Sequence, residues 1–290
     1  MPSLSEIKKR IKVVESTSKI TNAMKLVATS KLKKEKDLFL HAQEFYSNFY
    51  DIFSNIKNNV EFFDSYFAKD DTANKTIWIV FTSSMGLCGS YNVNLMKFLK
   101  KTIKNNNNDE IILVGRKGTA LLKSKDITNK VRLSLEVDDK DITYDLCYIL
   151  CTKIWEDFQN ETDIASIKII YTKFINSLSF EPSLFSLIPI DDRTIERISK
   201  PDNGGVFDFT IKTDELLDSI IPSYLSTCVY GAMIESKVCE NASRRNAMDS
   251  ATKNANNLIV SYKLEFNRIR QSEITQEITE IVSGSNLEEK

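Results

Sequence analysis

The chain has 290 residues, with 39 basic and 40 acidic side chains and a formal net charge of −1. Hydrophobic residues at 42% and charged residues at 27% give a soluble globular composition, and no global field recruits nucleic acid or a membrane surface. A single histidine, His41, argues against a histidine metal centre or a serine–histidine triad, and five cysteines without a CxxC pair argue against a zinc site or a disulfide framework.

The amino terminus, MPSLSEIKKRIK, is charged and has no apolar core, so it does not read as a signal peptide. No apolar stretch reaches the ~18 residues of a membrane span. Reduced thiols and an intracellular chain are expected.

From Ser3 to Met85 there is neither glycine nor proline, and the same holds from Ala232 to Ser283. Seven of the eight glycines and four of the five prolines fall between Gly86 and Gly231. Two long breaker-free segments therefore flank a middle that turns often.

The first segment is predicted helical. Leu4, Ile7, Ile11 and Val14 recur at helical spacing; Ile20, Met24 and Val27 continue it with a shift of phase; Phe45, Phe49, Ile52 and Ile56 resume it. Ser3 and Glu6 make a capping-box pair. A helix from Ser3 to about Asn58 would be ~80 Å long.

The middle alternates. Thr76–Ser83 is a predicted strand, Tyr91 to Ile103 a helix, Glu110–Val114 a strand, and Lys117 to Lys123 a short helix. Val131–Leu135 is a weak strand. Thr143 to Phe158 is a helix with Leu146, Ile149, Leu150, Ile154 and Phe158 on one side. Ser166–Phe174 is a strand, and Phe180 to Ile190 is extended with two prolines. Strands alternating with helices imply a mostly parallel sheet covered by helices.

The last segment is predicted helical from near Thr213 to Val282, with Pro222 or Gly231 as expected interruptions and a length of ~100 Å if unbroken. Ala247, Ala251, Ala255, Leu258, Tyr262, Phe266 and Ile269 form its stripe, followed by Ile274, Ile278 and Ile281 after a break in phase. The mean step nears 3.6, which favours a nearly straight seam. Neither end helix can bury its stripe alone, so the two are expected to pair as an antiparallel coiled coil. The fold class is α/β: a long antiparallel coiled coil of the chain ends plus a Rossmann-like α/β domain. The expected division is 1–58, 75–209 and 210–286.

Gly86-Leu-Cys-Gly89 and Gly115-Arg-Lys-Gly118 each follow a strand, where α/β proteins bind phosphates. Neither has Walker or dinucleotide spacing, so close helix–strand packing is the preferred reading. Ten basic and three acidic residues in the first 36 suit an acidic protein partner; without aromatics there, nucleic acid is not expected. Glu273, Glu277 and Glu280 make the far end acidic, which suggests pairing with the basic amino-terminal helix. No catalytic, cofactor or metal residues are assigned; Cys88 has no activating neighbour in sequence.

The motifs Ile7-Lys-Lys-Arg-Ile11, Lys19-Ile-Thr-Asn-Ala-Met-Lys25, Ser30-Lys31-Leu32, Gly86-Leu-Cys-Gly89, Gly115-Arg-Lys-Gly118, Asn267-Arg268, Arg270-Gln271 and Ile274–Val282 resemble the γ-subunit family of F-type ATP synthases, and the resemblance covers essentially the whole chain. It implies a non-catalytic rotor shaft inside a hexamer of α and β subunits. Its foot would rest on ε and the c-ring, peripherally, at the cytoplasmic face of a bacterial cell membrane. Met24, Arg270, Gln271, Thr275 and Glu277 would contact the hexamer, and Gly86, Leu87, Cys88 and Gly89 would lie in the foot region.

The chain departs from the family at Ser84-Met85, Ser90 and Cys239-Glu240-Asn241. A rotor of a specialised F-like ATPase is the alternative, with a coiled-coil adaptor or a nucleotide-using enzyme further off. Thiol switching of the chloroplast kind is not expected.

Overall fold

Ser3 Oγ accepts a hydrogen bond from the Glu6 backbone N–H at 3.3 Å, and helix α1 (Leu4–Asn59) starts there. Half of the capping box forms, because the Glu6 carboxylate turns instead to Arg10 at 2.6 Å. The structure, a computed structural model, describes residues 3–59, 73–103, 108–122, 130–137, 143–190 and 213–288. The expected repeat of Phe45, Phe49, Ile52 and Ile56 and the expected boundary at 209–210 lie outside the described side chains and residues. The chain divides into two compact units, Met1–Thr29 with Arg244–Lys290, and Ser30–Ser243.

Within Ser30–Ser243, strands β1 (Lys75–Phe81), β2 (Glu110–Val114), β3 (Val131–Leu135), β4 (Ile164–Phe174) and β5 (Phe180–Ile188) form one sheet in the order β3-β2-β1-β4-β5. β1 runs parallel to β2 and β4, and β2 runs parallel to β3. β5 returns antiparallel on β4, so the segment expected only as extended chain is an edge strand. Pro182 sits opposite Thr172 there, and an edge strand tolerates a residue without an N–H.

Helices α2 (Tyr91–Thr102), α3 (Arg116–Leu121) and α4 (Tyr144–Asn160) connect the strands, and α5 (Thr213–Glu288) follows the sheet. β1 alternates between two covered faces. Ile77, Ile79 and Phe81 join Cys151, Ile154 and Phe158 of α4 and Ile221, Leu225 and Val229 of α5. Trp78 and Val80 join Leu95 and Leu99 of α2. Cover on both faces explains the unbroken apolar run of this strand.

α4 turns the expected face inward at Leu146, Leu150, Ile154 and Phe158, with one exception. Ile149 is 68% exposed, whereas Cys147, Cys151, Ile154, Trp155 and Phe158 are buried. At about 100° per residue, Ile149 lies two positions from both cysteines and points away from them. Trp155 stacked on Phe158, ring centroids 5.5 Å apart, fixes the buried face.

α5 is continuous over 76 residues, so neither Pro222 nor Gly231 interrupts it. Pro222 forfeits one backbone hydrogen bond, but the buried neighbours Ile221, Tyr224 and Leu225 hold that turn in place.

In the unit made of the two chain ends, the less exposed residues of α1 include Leu4, Ile7, Ile11, Val14, Ser18, Thr21, Lys25 and Ala28, a series at alternating steps of three and four, with Glu15 and Met24 half-buried beside it. On α5 they include Met248, Thr252, Ala255, Ile259, Tyr262, Phe266 and Ile269, with the same alternation. Ser18 Oγ lies 2.8 Å from Asn256 Oδ1, the Thr21 and Thr252 hydroxyls are 2.8 Å apart, and Lys25 Nζ reaches Asp249 at 3.3 Å. Residue numbers rise on one helix as they fall on the other, so the pair is antiparallel.

Three expectations are corrected here. Ile20 and Val27 are 61% and 58% exposed, and Leu258 is 48% exposed; Ser18, Thr21 and Ile259 hold the seam positions instead. A seven-residue repeat keeps one phase from Leu4 to Ala28, and polar side chains simply occupy part of it. The repeat is therefore 3.5 residues, the period of a left-handed supercoil, rather than the nearly straight 3.6. The acidic end of α5 does not lie along α1 either: cross-helix ion pairs among the described residues include Lys25–Asp249 and, at 3.7 Å, Lys263–Glu15.

Two outcomes follow for stability. Gly115 has φ of 104°, and a Cβ there would stand 2.1 Å from the Thr82 carbonyl oxygen. Gly115→Ala should therefore cost at least about 2 kcal/mol, read as a lower denaturation midpoint. Glu235 accepts the Phe174 N–H at 2.8 Å, and burial pushes its carboxyl up to about 6, against the opposing pull of that N–H and of Lys173.

Because the folded value lies above the ordinary 4.5, the fold binds the proton more tightly than the unfolded chain does. The contribution is complete below about pH 4.5 and is lost as pH rises through 6, a span of about 2 kcal/mol. Glu235→Gln keeps the acceptor and should flatten that part of the stability–pH curve. The same variant should be more stable than the parent at pH 8.

Candidate functional site

Carrying the Ser18–Asn256 register outward puts Leu4 opposite about residue 270. From Arg270 to Val282 every side chain is exposed. The helix is kept there by its own turns: Thr275 Oγ1 donates to the Gln271 carbonyl at 2.8 Å, Thr279 Oγ1 donates to the Thr275 carbonyl at 2.8 Å, and Gln276 Nε2 donates to Glu280 at 2.9 Å. Ile274, Ile278 and Ile281 fall at helical spacing, and Ile281 is 71% exposed. Arg270, Gln271, Thr275 and Glu277 thus share one bare helix end, with cationic, amide, hydroxyl and carboxylate groups beside an uncovered apolar stripe.

Met24 is not part of that cluster. It is half-buried at the level of Lys25 and Asp249, about 20 residues and ~30 Å along the axis from Arg270. Asp249 is held below the usual carboxylate range by hydrogen bonds first from Lys253, at 2.8 Å, and then from Lys25. Near Met24 the exposed apolar side chains are Ile20, Leu26 and Val27, none of which the spacing argument placed at a surface. The signal was present: Ser18 and Thr21 stay in phase with Ile7, Ile11 and Val14, so Ile20 and Val27 fall outside that stripe.

The Gly86–Gly89 loop belongs to the other unit. Asn92 organises it: its Oδ1 accepts from Ser83 N–H at 3.0 Å, and its Nδ2 donates to Ser83 Oγ at 2.6 Å and reaches Cys88 Sγ at 3.3 Å. Ser243 Oγ of α5 donates to the Cys88 carbonyl at 2.7 Å, and the Tyr91 hydroxyl donates to the Ser236 carbonyl at 3.2 Å. Cys88 is buried beside Tyr91 and Cys239. Burial, with Glu235 adding to it, pushes the Cys239 thiol far up, which leaves that thiol inert.

What the loop offers a partner is its rim: Leu87, at φ of 61°, and Met85, both exposed. The departures Ser84 and Ser90 have local roles. Ser84 Oγ donates to the Val137 carbonyl at 2.5 Å, and Ser90 Oγ accepts from Asn94 Nδ2 at 3.3 Å.

The crevice outside the carboxyl ends of β1 and β2, where α/β folds bind ligands, is filled by α5. Met233, Ser236 and the Lys237–Glu240 ion pair at 3.0 Å, both side chains nearly buried, face Phe81, Thr82, Ser84 and Val114. Gly115 and Gly118 each bring a backbone against Thr82, as the close-packing reading requires; a Cβ on Gly118 would stand 2.8 Å from Thr82 Oγ1. His41 is exposed.

Comparison with known proteins bears on the whole chain. A family model described as ATP synthase matches residues 3–286. The ATP synthase gamma chain of Malacoplasma penetrans (strain HF-2) is 58% identical over 290 residues, covering 99% of this chain and 100% of the relative. That of Ureaplasma urealyticum serovar 10 is 41% identical over 293 residues, covering 98% and 99%.

Among solved structures, a chain of the central stalk and c-ring of Tetrahymena thermophila mitochondrial ATP synthase aligns with a TM-score of 0.61 at 24% identity, covering 80% of this chain and 99% of that one. A chain of Euglena gracilis mitochondrial ATP synthase aligns at 0.66 and 17% identity, covering 98% and 93%; both likenesses concern the fold. With a family model spanning nearly every residue and full-length relatives well above 30% identity, this chain belongs to the ATP synthase gamma chain family.

Proposed function

We propose that the chain is the central-stalk rotor of a bacterial F-type ATP synthase. It turns within the α/β hexamer that holds the nucleotide sites and rests through its foot on ε and the c-ring. It couples ion flow to ATP synthesis, or ATP hydrolysis to rotation, and performs no chemistry of its own. Its place is peripheral, at the cytoplasmic face of the cell membrane; among the described residues no helix is long and apolar enough to cross a bilayer. In this reading 1–58 and 210–286 are shaft and 75–209 is head.

The observation that carries the reading is the bare end of α5, 13 consecutive exposed residues with isoleucines on one side. An uncovered apolar helix stripe is the signature of a surface that another chain covers. The names of the full-length relatives and the central-stalk neighbours support a hexamer as that other chain. Three chemically identical sites around an axis differ only if the axis presents them with different faces. A lone helix whose sides carry Arg270, Gln271, Thr275, Glu277 and the isoleucines does so, and the bias it imposes equals the difference in contact energy between orientations. Met24 supplies a second contact level on α1, and Leu87 and Met85 supply the contact of the Gly86–Gly89 loop with the foot subunits.

In the assembled enzyme, Arg270→Ala with Gln271→Ala should lower ATP turnover about tenfold while helix content stays unchanged. Unaltered hydrolysis and synthesis would remove these residues from the interface. A photo-crosslinker on a cysteine at Leu87 should capture ε or a c subunit; capture of α or β alone would move that contact to the hexamer.

A further inference from the structure

The far end of β4 overhangs its neighbour. β1 pairs with β4 only as far as Ile170, whereas β5 pairs with it to Phe174. On the side that β1 vacates, α5 takes the place of a strand. Ser236 Oγ accepts from the Thr172 N–H at 3.3 Å, Cys239 Sγ donates to the Thr172 carbonyl at 3.4 Å, and Glu235 accepts the Phe174 N–H at 2.8 Å. Three side chains of one helix thus continue the ladder, and backbone groups that no strand reaches find their partners there.

The three rungs differ in chemistry. The Ser236 hydroxyl does not titrate, and the Cys239 thiol, pushed far up by burial with Glu235 adding to it, keeps its proton to donate. Glu235 is a half-buried carboxyl whose one hydrogen bond is the Phe174 N–H, and among the described residues it makes no ion pair. The charged groups about it are few. Lys173 of β4 is exposed and has Glu181 of β5 opposite it in register. Glu35 of α1 is engaged by Asn241 Nδ2 at 2.6 Å, and Lys237 and Glu240 of α5 pair with each other. An ionised carboxylate in that setting loses water without gaining a cation, whereas the protonated form still offers a carbonyl oxygen to Phe174. Burial accordingly pushes the carboxyl up to about 6, against the Phe174 N–H and Lys173.

We propose that Glu235 is a proton-sensitive latch on the β4–β5 hairpin, holding the overhanging end of β4 against α5 when protonated and releasing it as the carboxyl ionises. The moving part is defined by its own hydrogen bonds. The Ile175 N–H donates to the Ser179 carbonyl at 3.2 Å, and Asn176 Oδ1 accepts from the N–H groups of Leu178 and Ser179 at 2.9 and 2.8 Å, so the tip stays closed when the latch lets go. That tip carries Ile175 and Leu178, 53% and 79% exposed. Its base is also held by Phe174, edge-to-face on Phe39 of α1, and by Phe180 beside Leu32, Val238 and Ala242, so the loosening is local. The latch is a property of this chain and does not rest on the rotor reading.

Residue-resolved hydrogen exchange on the full-length chain tests the latch, measured from about pH 5 to about pH 7.5 and corrected at each pH for the intrinsic rate. The amides of Thr172 and Phe174 should exchange faster than those of Ile77–Val80 at every pH, which marks a local opening. Their protection should fall about tenfold across the range, because a group that binds its proton more tightly in the closed form gives up that stabilisation as pH rises. Glu235→Gln keeps the acceptor without the charge and should hold protection at the parent's acid-side level throughout. His41→Gln, an exposed change two residues beyond Phe39, should leave the parent's profile unaltered.

Protection of Phe174 that ignores pH in the parent overturns the proposal, as does a Glu235→Gln variant that keeps the parent's dependence. A dependence that vanishes in His41→Gln also overturns it, since the proton would then be held elsewhere. Should Glu235→Gln fail to fold, the parent and His41→Gln profiles decide the matter alone. Loss of turnover on mutating Arg270 tests the rotor reading separately, so the two can fail independently.

Discussion

Two helices that cannot bury their apolar stripes alone bury them against each other, and this contact organises the unit made from the chain ends. Ile7, Ile11 and Val14 of α1 and Ile259, Tyr262, Phe266 and Ile269 of α5 supply its apolar layers. Ile7 is fully buried, which is worth about 1.5–3 kcal/mol, and the others, half-buried, contribute less each. The polar layers at Ser18, Thr21 and Lys25 add little energy but demand particular partners, and polar seam positions are the best-attested device for setting register. Register, in turn, decides where α1 stops along α5. It stops near residue 270, and the bare helix end that follows is a consequence of that alignment.

Function grows from the same alignment. A helix end with Arg270, Gln271, Thr275 and Glu277 around it and isoleucines along one side presents different chemistry in each direction. In the proposed reading, such a surface acts by favouring one arrangement of its surroundings over another. Among the described residues, two places where chemistry could be sought are closed off. The crevice at the sheet's carboxyl edge is packed by α5 with a buried Lys237–Glu240 pair, and the thiol of Cys239 is pushed upward by burial. The glycines of the β2–α3 turn are spent on close approach to Thr82.

Much of this was legible in the residues. The Ser3 cap, the strand at Glu110–Val114 and the parallel order of alternating elements follow from local rules. After Val14 the apolar residues of α1 leave the phase of the stripe: Ser18 and Thr21 hold the seam, while Ile20 and Val27 face outward. Leu258 and Ile149 misled for the same reason, since an apolar residue one or two places from the true stripe mimics its continuation. Tertiary contact decides such cases, and periodicity cannot see it. Gly115 is another instance: its role rests on a carbonyl 33 residues away in sequence, which the GRKG spacing does not encode.

The central claim is the antiparallel register that leaves the end of α5 uncovered. A short bismaleimide linker between cysteines placed at Ser18 and Asn256 tests it directly, with cysteines at Ser18 and Glu273 as the comparison. The account predicts efficient intramolecular linkage for the first pair and none for the second. Linkage of Ser18 to Glu273 instead would contradict it, because α1 would then run beside the helix end held here to be bare.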